Sequence, residues 1–259
     1  MKIVTYNVNG IKARLPRLLE YLEEQQPDVV CLQELKAPDE AFPGEEIAAL
    51  GYGAIWHGQK SWNGVAILTR GRSPELRRIG LPGDPDDLHS RYIEADVGGI
   101  VVASLYLPNG NPQPGPKFEY KLAWMARLRA HAAGLLAEER PVVLAGDYNV
   151  VPTDVDVFRA SGVQDDALLH PRTRAAYRAM LGDGWTEAMR ALHPDARIFT
   201  FWDYQAGAWQ RDAGFRIDFH LLSPQAADLL VEVAVDKDYR GREKASDHAP
   251  TWARFDVRT

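Results

Sequence analysis

Residues 141–149 read Pro-Val-Val-Leu-Ala-Gly-Asp-Tyr-Asn, an apolar run that ends in polar side chains. The part from Pro141 to Ala145 is almost wholly apolar and lies between a proline and a glycine, a pattern typical of a buried β-strand. Asp147 and Asn149 follow at a spacing of two, so extended backbone would place both side chains on one face. The segment therefore predicts a core strand with two polar groups at its end.

Similar apolar runs recur along the chain and alternate with helical patterns. Ile11, Leu15, Leu18 and Leu22 repeat at helical spacing, and so do the apolar residues between 118 and 135. Further strands are predicted over 3–8, 29–33, 65–68, 93–97, 100–107, 199–204, 216–222, 231–235 and 251–257. Strands outnumber helices, and turns separate several of them. This pattern favours mixed or antiparallel sheets covered by helices over one parallel doubly wound sheet.

Length and composition indicate one ordinary globular unit. The chain has 259 residues, of which 46% are hydrophobic and 25% charged, and this size can form a full core as one α/β domain over residues 1–259. The stretch 108–116 (PNGNPQPGP) is short and lies between continuing patterns, so we interpret it as a surface loop and not an interdomain linker. Nothing indicates an obligate interface, and a monomer is expected.

The cysteine content and the length of the apolar stretches predict the cellular compartment. Cys31 is the only cysteine, so no internal disulfide partner exists, and its apolar neighbours predict a buried, reduced thiol. The sequence passes from Met1 directly into a strand pattern, so we expect no signal peptide. The longest apolar stretch, 100–107, is too short for a membrane span. We expect a cytoplasmic protein without a membrane partner. The net charge of −6 argues only weakly against nucleic-acid binding.

Polar residues stand where several other predicted strands end. Asn7 ends the first strand, Glu34 ends the second, and Asp247-His248 precede the last. Each has an ordinary explanation, because carboxylates after strands commonly form turns or cap helices. Asp218 is harder to explain in this way. It interrupts an apolar run, and a buried charge needs a partner, for which a histidine would serve.

Together these residues form an inventory of carboxylates, two asparagines and one histidine. Hard oxygen ligands of this kind suit Mg²⁺ or Mn²⁺ and not zinc. The sequence contains no zinc-type Cys/His spacing, no glycine-rich phosphate loop and no serine nucleophile elbow. The chemistry that remains is metal-assisted attack of water on a phosphate ester.

In order and spacing, these motifs make the chain resemble a known family. The matching segments are Tyr6-Asn7-Val8-Asn9-Gly10, Gln26 to Glu34, Asn63-Gly64-Val65-Ala66, Tyr106 to Gly110, Gly146-Asp147-Tyr148-Asn149, Phe201-Trp202-Asp203-Tyr204, Arg216-Ile217-Asp218 and Ser246-Asp247-His248-Ala249-Pro250. From Met1 to about Phe255 the chain resembles the exonuclease III family of AP endonucleases, within the endonuclease/exonuclease/phosphatase superfamily. The resemblance implies a four-layer α/β sandwich, with two packed mixed β-sheets flanked by helices.

The resemblance also implies a magnesium site and a base. Glu34 would be the main ligand of Mg²⁺, for which Mn²⁺ could substitute, with Asn7 and Asp247 close by in the first or second shell of the metal. Asp147 would position and deprotonate the attacking water. The number of metal ions stays open.

Four further residues would act on the phosphate. Asn149 and His248 would hydrogen-bond the scissile phosphate as charge develops on it. Asp218 would fix the tautomer of His248 and keep it cationic. Tyr106 would reach the phosphate or the leaving oxygen.

Contacts to double-stranded DNA would involve mainly its phosphates. The candidates for these contacts are Asn9, Lys36, Lys60, Asn63, Asn109, Lys121 and Arg216, each of which could equally be a plain surface or core residue. Phe199, Phe201 and Trp202 resemble the aromatic pocket that accepts an extruded abasic sugar, with core packing as the alternative. An abasic sugar has no base pair to lose, so its extrusion costs less than that of a normal nucleotide.

The function expected is a DNA phosphodiesterase of base excision repair, acting 5′ to abasic sites and at 3′ ends. Alternatives within the superfamily are secreted DNases, lipid phosphodiesterases and inositol phosphatases. The secreted DNases carry disulfides and a histidine where Tyr106 stands here. A catalytically dead DNA-binding module would have lost some of the carboxylates, which are all present. The stretch 158–177 looks shorter than in the enterobacterial type enzyme, which leaves the balance between incision and exonuclease activity open.

Overall fold

Two six-stranded β-sheets form the centre of the protein in a computed structural model that describes residues 1–159 and 165–257. The first sheet has the order β11-β12-β1-β2-β4-β3 and the second β5-β6-β7-β8-β10-β9. The strands are β1 (Lys2–Asn7), β2 (Val29–Gln33), β3 (Tyr52–His57), β4 (Val65–Arg70), β5 (Glu75–Ile79), β6 (Tyr92–Val97), β7 (Ile100–Tyr106), β8 (Val142–Asp147), β9 (Thr186–Glu187), β10 (Asp218–Leu222), β11 (Leu230–Val235) and β12 (Thr251–Phe255).

Both sheets are mixed. The pairs β1–β2 and β7–β8 are parallel, whereas the other neighbouring strands pair antiparallel. A layer of apolar side chains between the sheets includes Ile3 and Cys31 from one sheet and Val102 and Val143 from the other. The Cys31 thiol is free and buried there, and burial raises its pKa far above the usual range.

The helices are α1 (Ile11–Gln25), α2 (Gly44–Ala49), α3 (Pro116–Leu136), α4 (Pro171–Gly182), α5 (Ala188–Leu192) and α6 (Pro224–Ala227). Four helices, α1 to α4, cover the two outer faces, whereas the short α5 and α6 pack against the layer between the sheets. Leu18 and Leu22 of α1 pack on the first sheet, and Trp124 and Leu128 of α3 pack on the second. The four-layer sandwich expected from the resemblance is confirmed. Among the described helices, none, including the long α3, has the length and apolarity needed to cross a bilayer.

The sequence patterns located most strands but misjudged one segment. The stretch 199–204, expected as a strand, contains only an isolated bridge at Phe201 and otherwise follows turns. Its aromatic residues favour strands by propensity, but the backbone of this segment is irregular, so propensity alone gave a wrong prediction. The short strands β3, β5 and β9 and the helices α2, α4, α5 and α6 were not expected. Of the stretch 158–177, residues 160–164 lie outside the described part of the chain.

Candidate active site

Strand register brings three of the expected residues together at one end of the second sheet. Tyr106 is the register partner of Asp147 across the parallel pair β7–β8. Asp218 is the register partner of Asp147 across the antiparallel pair β10–β8. A central strand therefore carries Asp147 between a tyrosine and a second carboxylate, although these residues lie far apart in the sequence.

The first sheet contributes Asn7 and Glu34 from the ends of its parallel strands. The Asn7 side-chain Nδ2 donates to Glu34 Oε1 and to Asp147 Oδ2, both at 2.9 Å. This amide therefore joins the two sheets at the site. The Asn7 Oδ1 accepts a hydrogen bond from the backbone N–H of Asn9 at 3.0 Å, which fixes the orientation of the amide. Ser246 Oγ donates to the Asn7 carbonyl oxygen at 2.6 Å and links this end of β1 to the loop before β12.

His248 faces two carboxylates from the opposite side. Its Nδ1 lies 2.9 Å from Asp218 Oδ2, and its Nε2 lies 3.8 Å from Asp147 Oδ2. Burial alone would lower the pKa of His248, but the adjacent Asp218, followed by Asp147, outweighs burial and raises this pKa to about 10. The imidazole is therefore cationic around neutral pH. Asp218, which seemed to need a partner, has this histidine.

Asp147 is the carboxylate least compensated by its surroundings. It is almost fully buried, and burial raises its pKa, with Asp218 and Glu34 adding to the effect and His248 opposing it. Its Oδ1 accepts the backbone N–H of Asn149 at 2.9 Å. A buried carboxylate with a raised pKa can take up a proton near neutral pH, which is what a general base requires.

The donor set at the centre fits a hard divalent cation. One ligand atom from each of Glu34, Asp147 and His248 lies within 4.8 Å of the others. Because Nδ1 of His248 binds Asp218, this imidazole is better suited to donate than to ligate. Burial raises the pKa of Glu34, but Lys36, whose Nζ lies 2.8 Å from Glu34 Oε2, outweighs burial and lowers the pKa overall. Glu34 is therefore an ionised carboxylate at the rim of the site.

Asn7 and Asp247 are less direct candidates for metal ligands than expected. The Asn7 amide turns its nitrogen toward the carboxylates, so its oxygen does not join that group of ligand atoms. Asp247 Oδ1 accepts the Asn9 side-chain Nδ2 at 2.9 Å, and Asp247 is outside the three-residue group. Asn7 lies one hydrogen bond from Glu34 and Asp147, whereas Asp247 is connected to Asn7 through Asn9.

Asn149 adopts a left-handed backbone conformation, with φ of 47°, immediately after β8. Its Nδ2 donates to the Leu107 carbonyl oxygen at 2.9 Å, and its Oδ1 accepts Nδ2 of the exposed Asn109 at 3.2 Å. Behind this loop, the Lys121 Nζ donates to the carbonyl oxygens of Asn149 and Asn109 at 2.5 and 3.1 Å. The expectation that Lys121 contacts DNA is wrong, because this fully buried side chain supports the loop from the interior. Burial lowers its pKa to about 7.

Arg216 is likewise a core residue and not a DNA contact. Only 1% of its surface is exposed. Its Nε donates to Asp156 Oδ1 at 2.7 Å and its Nη1 to Glu187 Oε2 at 2.8 Å. Arg190 donates to the same Asp156 oxygen at 2.6 Å. These four residues form a balanced buried group, here called the ion-pair cluster.

The other expected contacts divide between the rim and the interior. Lys60 and Asn109 are exposed, and Asn9 and Lys36 are half-buried beside Glu34. The Lys36 Nζ donates to Asn9 Oδ1 at 2.5 Å. Asn63 is buried, and its Nδ2 donates to Gln59 Oε1 at 2.9 Å. A direct DNA contact by Asn63 is therefore not supported, because its side chain fastens its own loop.

Of the three aromatic residues expected to form a pocket, the structure brings only Phe201 to the site. Its ring centroid lies 4.9 Å from that of His248 and 5.9 Å from that of Phe215. Phe199 and Trp202 are buried together with Ala249, so the pocket prediction is wrong for these two. The Trp202 indole Nε1 donates to Asp212 Oδ1.

Sequence reasoning missed Phe215 and Arg91. Side chains alternate between the two faces along 215–217, so Phe215 and Ile217 lie on the face opposite Arg216. Because the Arg216 side chain is buried on its own face, the Phe215 side chain must lie on the other. Arg91 stacks on the Tyr106 ring, with its guanidinium carbon 4.8 Å from the ring centroid, and its Nη1 donates to the Tyr106 carbonyl oxygen at 3.2 Å. No pattern within the sequence identified this contact.

Comparison with known proteins identifies relatives over almost the whole chain. The model of the endonuclease/exonuclease/phosphatase family matches residues 4–248. The chain is 36% identical to exodeoxyribonuclease III of Haemophilus influenzae, over 98% of this chain and all of that protein. The solved structure of an AP endonuclease from Archaeoglobus fulgidus superposes with a TM-score of 0.94 at 37% identity, covering 99% of this chain and all of that one.

A third relative was solved together with DNA. It is the Neisseria 3′ phosphatase NExo bound to a product DNA hairpin, with a TM-score of 0.95 at 37% identity. The superposition covers 99% of this chain and all of that one.

Proposed function

The chain belongs to the endonuclease/exonuclease/phosphatase family, in its exodeoxyribonuclease III branch, and from that premise we propose a Mg²⁺-dependent DNA phosphodiesterase of base excision repair. It cleaves the backbone 5′ to abasic sites and removes nucleotides or blocking groups from 3′ ends of double-stranded DNA. We also propose that the protein acts as a monomer in the cytoplasm.

One observation carries this proposal more than any other. The side chains of Glu34, Asn7 and Asp147 form a continuous hydrogen-bonded group across the two sheets, and the His248–Asp218 pair faces it. This arrangement supplies a carboxylate for a divalent cation, a buried base and a cationic donor within one group. Hydrolysis of a phosphodiester by water needs these three functions.

The metal site proposed has Glu34 as its principal ligand. Asn7 orients the carboxylates of Glu34 and Asp147, to which it donates directly, and Asp247 supports Asn9, which in turn donates to Asn7. When bound, Mg²⁺ would stabilise negative charge on the phosphate oxygens. Mn²⁺ has the same preference for oxygen ligands and could replace it.

Asp147 acts in the proposal as the general base. Burial raises its pKa toward neutrality, so the carboxylate can accept the proton of an attacking water molecule. The Asn7 amide and the Asn149 backbone N–H each donate to one of its two oxygens, which fixes the direction in which the free lone pairs point.

His248 and Asn149 hold the phosphate in the proposal, and Tyr106 stands on its leaving-group side. The imidazolium of His248, kept charged by Asp218, donates through Nε2 to a phosphate oxygen as charge increases there. Burial, together with Glu34, raises the pKa of Tyr106 above its usual range. The phenol therefore retains its proton and can donate it to a developing oxyanion.

Lesion recognition would depend on Phe201 and Phe215. These rings are half-buried beside His248 and form an apolar recess where a sugar without a base can enter. Lys36, Lys60 and Asn109 are placed to contact the flanking phosphates, which carry no sequence information. The enzyme would consequently act at lesions in any sequence context.

A cleavage assay on two substrates tests the function. A labelled duplex with one internal abasic-site analogue and a duplex with a recessed 3′ end are each incubated with Mg²⁺ or with EDTA. We expect one Mg²⁺-dependent cut 5′ to the lesion and slower shortening from the 3′ end. Shortening without lesion cleavage would restrict the function to 3′-end processing. Absence of any DNA cleavage would overturn the proposal.

A further inference from the structure

The cleft beside Glu34 and Tyr106 has a second wall that the proposed chemistry does not use. The cleft has a volume of about 590 Å³, and two loops, 58–64 and 87–91, form this wall. Ser90 joins the loops: its Oγ donates to the Gly58 carbonyl oxygen at 2.9 Å, and its carbonyl oxygen accepts the Gly64 N–H at 2.8 Å. The wall is therefore a connected surface and not two independent loops.

Trp62 is the most exposed large side chain on the first loop. Its surface is 75% exposed, and all six other tryptophans are buried or half-buried. The residue has a φ of 65°, a conformation that costs energy for a bulky side chain. Backbone hydrogen bonds at the two residues that follow, from Lys36 to Asn63 and from Gly64 to Ser90, hold the loop at this point. An indole fixed at the border of a cleft offers a flat face for stacking.

His89 lies on the second loop with one ring nitrogen already bound. Its Nδ1 is 2.9 Å from Asp87 Oδ1 and 3.1 Å from the Tyr120 hydroxyl. Asp87 is a buried carboxylate that also pairs with Arg127. Because Nδ1 points toward Asp87, the other ring nitrogen, Nε2, points away from Asp87. The residue is 49% exposed and lines the same cleft as Trp62.

We propose that this wall binds one nucleotide of the DNA strand next to the cleavage site, with its base stacked on Trp62 and its phosphate held by Nε2 of His89. The inference rests on the proposed function, because the cleft ends at Glu34. Lys36 and Lys117 line the same cleft and make it electrostatically suited to a strand. Aromatic stacking accepts every base because each has a π-face.

The orientation of the His89 ring supports the phosphate contact. Because Nδ1 lies against Asp87 and the Tyr120 hydroxyl, Nε2 is the ring nitrogen left to donate to a phosphate oxygen. The charged groups around the cleft are Glu34, Lys36, Arg91 and Lys117, so three cations and one carboxylate face a strand that enters it.

The wall would also make the enzyme sensitive to base stacking in its substrate. Inside a continuous duplex, each base is covered on both faces, and a paired terminal base is held in the helix by its partner. A mismatched or frayed 3′ base has no such partner and can turn out of the helix to stack on Trp62. Trp62 should therefore strengthen binding to unpaired ends more than binding to paired ends.

Binding measurements in EDTA, where no strand is cut, test this inference. The dissociation constants of the wild type and of His89→Ala, Trp62→Ala, Trp62→Phe and Leu88→Ala are measured in one buffer. The substrates are duplexes with a matched or a mismatched recessed 3′ end. Leu88 is 84% exposed on the same loop as His89 and serves as the matched control. Thermal unfolding checks that each variant is folded.

We expect His89→Ala to weaken binding to both DNA ends about five-fold, through the lost phosphate contact. Trp62→Ala should weaken binding to the mismatched end about ten-fold and binding to the matched end less, while Trp62→Phe retains most of the affinity. Leu88→Ala should match the wild type.

Equal losses for Trp62→Ala on both ends would overturn the inference. Unchanged affinity in either variant would do the same. A wild type that binds neither DNA would instead contradict the proposed function, so the two failures are distinguishable.

Discussion

Two groups of buried charge in this protein differ in how completely they are balanced. The ion-pair cluster contains two carboxylates, Asp156 and Glu187, and two guanidinium groups, Arg190 and Arg216. Burial raises the pKa of Asp156, but Arg216 and Arg190 outweigh burial and lower it overall. Every charge in this cluster therefore has a partner supplied by the protein.

The active site has an excess of carboxylates. Glu34, Asp147, Asp218 and Asp247 lie near one another, while the cations among them are His248 and Lys36. Burial raises the pKa of Asp147, and the neighbouring Asp218 and Glu34 raise it further. Buried charges that balance one another stabilise a fold, whereas an excess of one sign is costly until a ligand of opposite sign binds. The comparison indicates that one cluster contributes stability and the other contributes function.

Asp147→Asn should separate function from stability, and its effect on the cleavage rate should be the largest. We expect the single-turnover cleavage rate in Mg²⁺ to fall about 10³-fold, because the amide cannot accept the proton from water. Because the folded-state pKa of Asp147 is raised, its ionised form opposes folding above pH 4, and the free energy of unfolding measured in EDTA should rise. Asp183→Asn, at an exposed ion pair with Arg129, is the control and should keep the wild-type rate. A near wild-type rate for Asp147→Asn would remove this residue from the mechanism.

Arg216→Met should show the opposite pattern. Removing one partner from a buried ionic group leaves carboxylates without compensation, and we expect a loss of about 3–5 kcal/mol in the free energy of unfolding. Urea denaturation measures this loss, and Arg129→Met, at the exposed pair, should cost far less, because water and salt screen an exposed ion pair. Cleavage by the folded protein at low temperature should fall far less than in Asp147→Asn. A loss as small as that of the exposed pair would contradict the structural role of the cluster.

His220 sharpens the comparison with His248, because it is a buried histidine without a carboxylate partner. Its Nε2 lies 3.1 Å from the Ile3 carbonyl oxygen, and burial lowers its pKa to about 4. Between pH 6.5 and 4 the unfolded chain binds a proton that the folded chain does not, so stability falls as pH falls, by up to about 3 kcal/mol. His220→Gln should remove this part of the pH dependence. Urea denaturation at pH 7 and pH 4.5 gives the difference, and parallel pH dependences of the two proteins would contradict the assignment.

The positions of the strand ends were predictable from the sequence, whereas the directions in which individual side chains point were not. Apolar runs that stop at Asn7, Glu34 and Asp147 identified the strands that meet at the site. Arg216 resembled a surface cation because its partner Asp156 lies 60 residues away, and no local pattern indicates such a pairing. Trp202 and Phe201 are adjacent and equally aromatic, so only the tertiary structure shows that one is in the core and the other beside His248.

Metal binding tests the central claim, that the excess carboxylates form a divalent-cation site. The melting temperature is measured with increasing Mg²⁺ for the wild type, Glu34→Gln and Glu187→Gln. A bound ion stabilises the folded state by mass action, so a saturating concentration should raise the wild-type melting temperature by roughly 5 °C. We predict no such rise for Glu34→Gln and a normal rise, from a lower starting temperature, for Glu187→Gln. An equal rise in Glu34→Gln, or none in the wild type, would contradict the account.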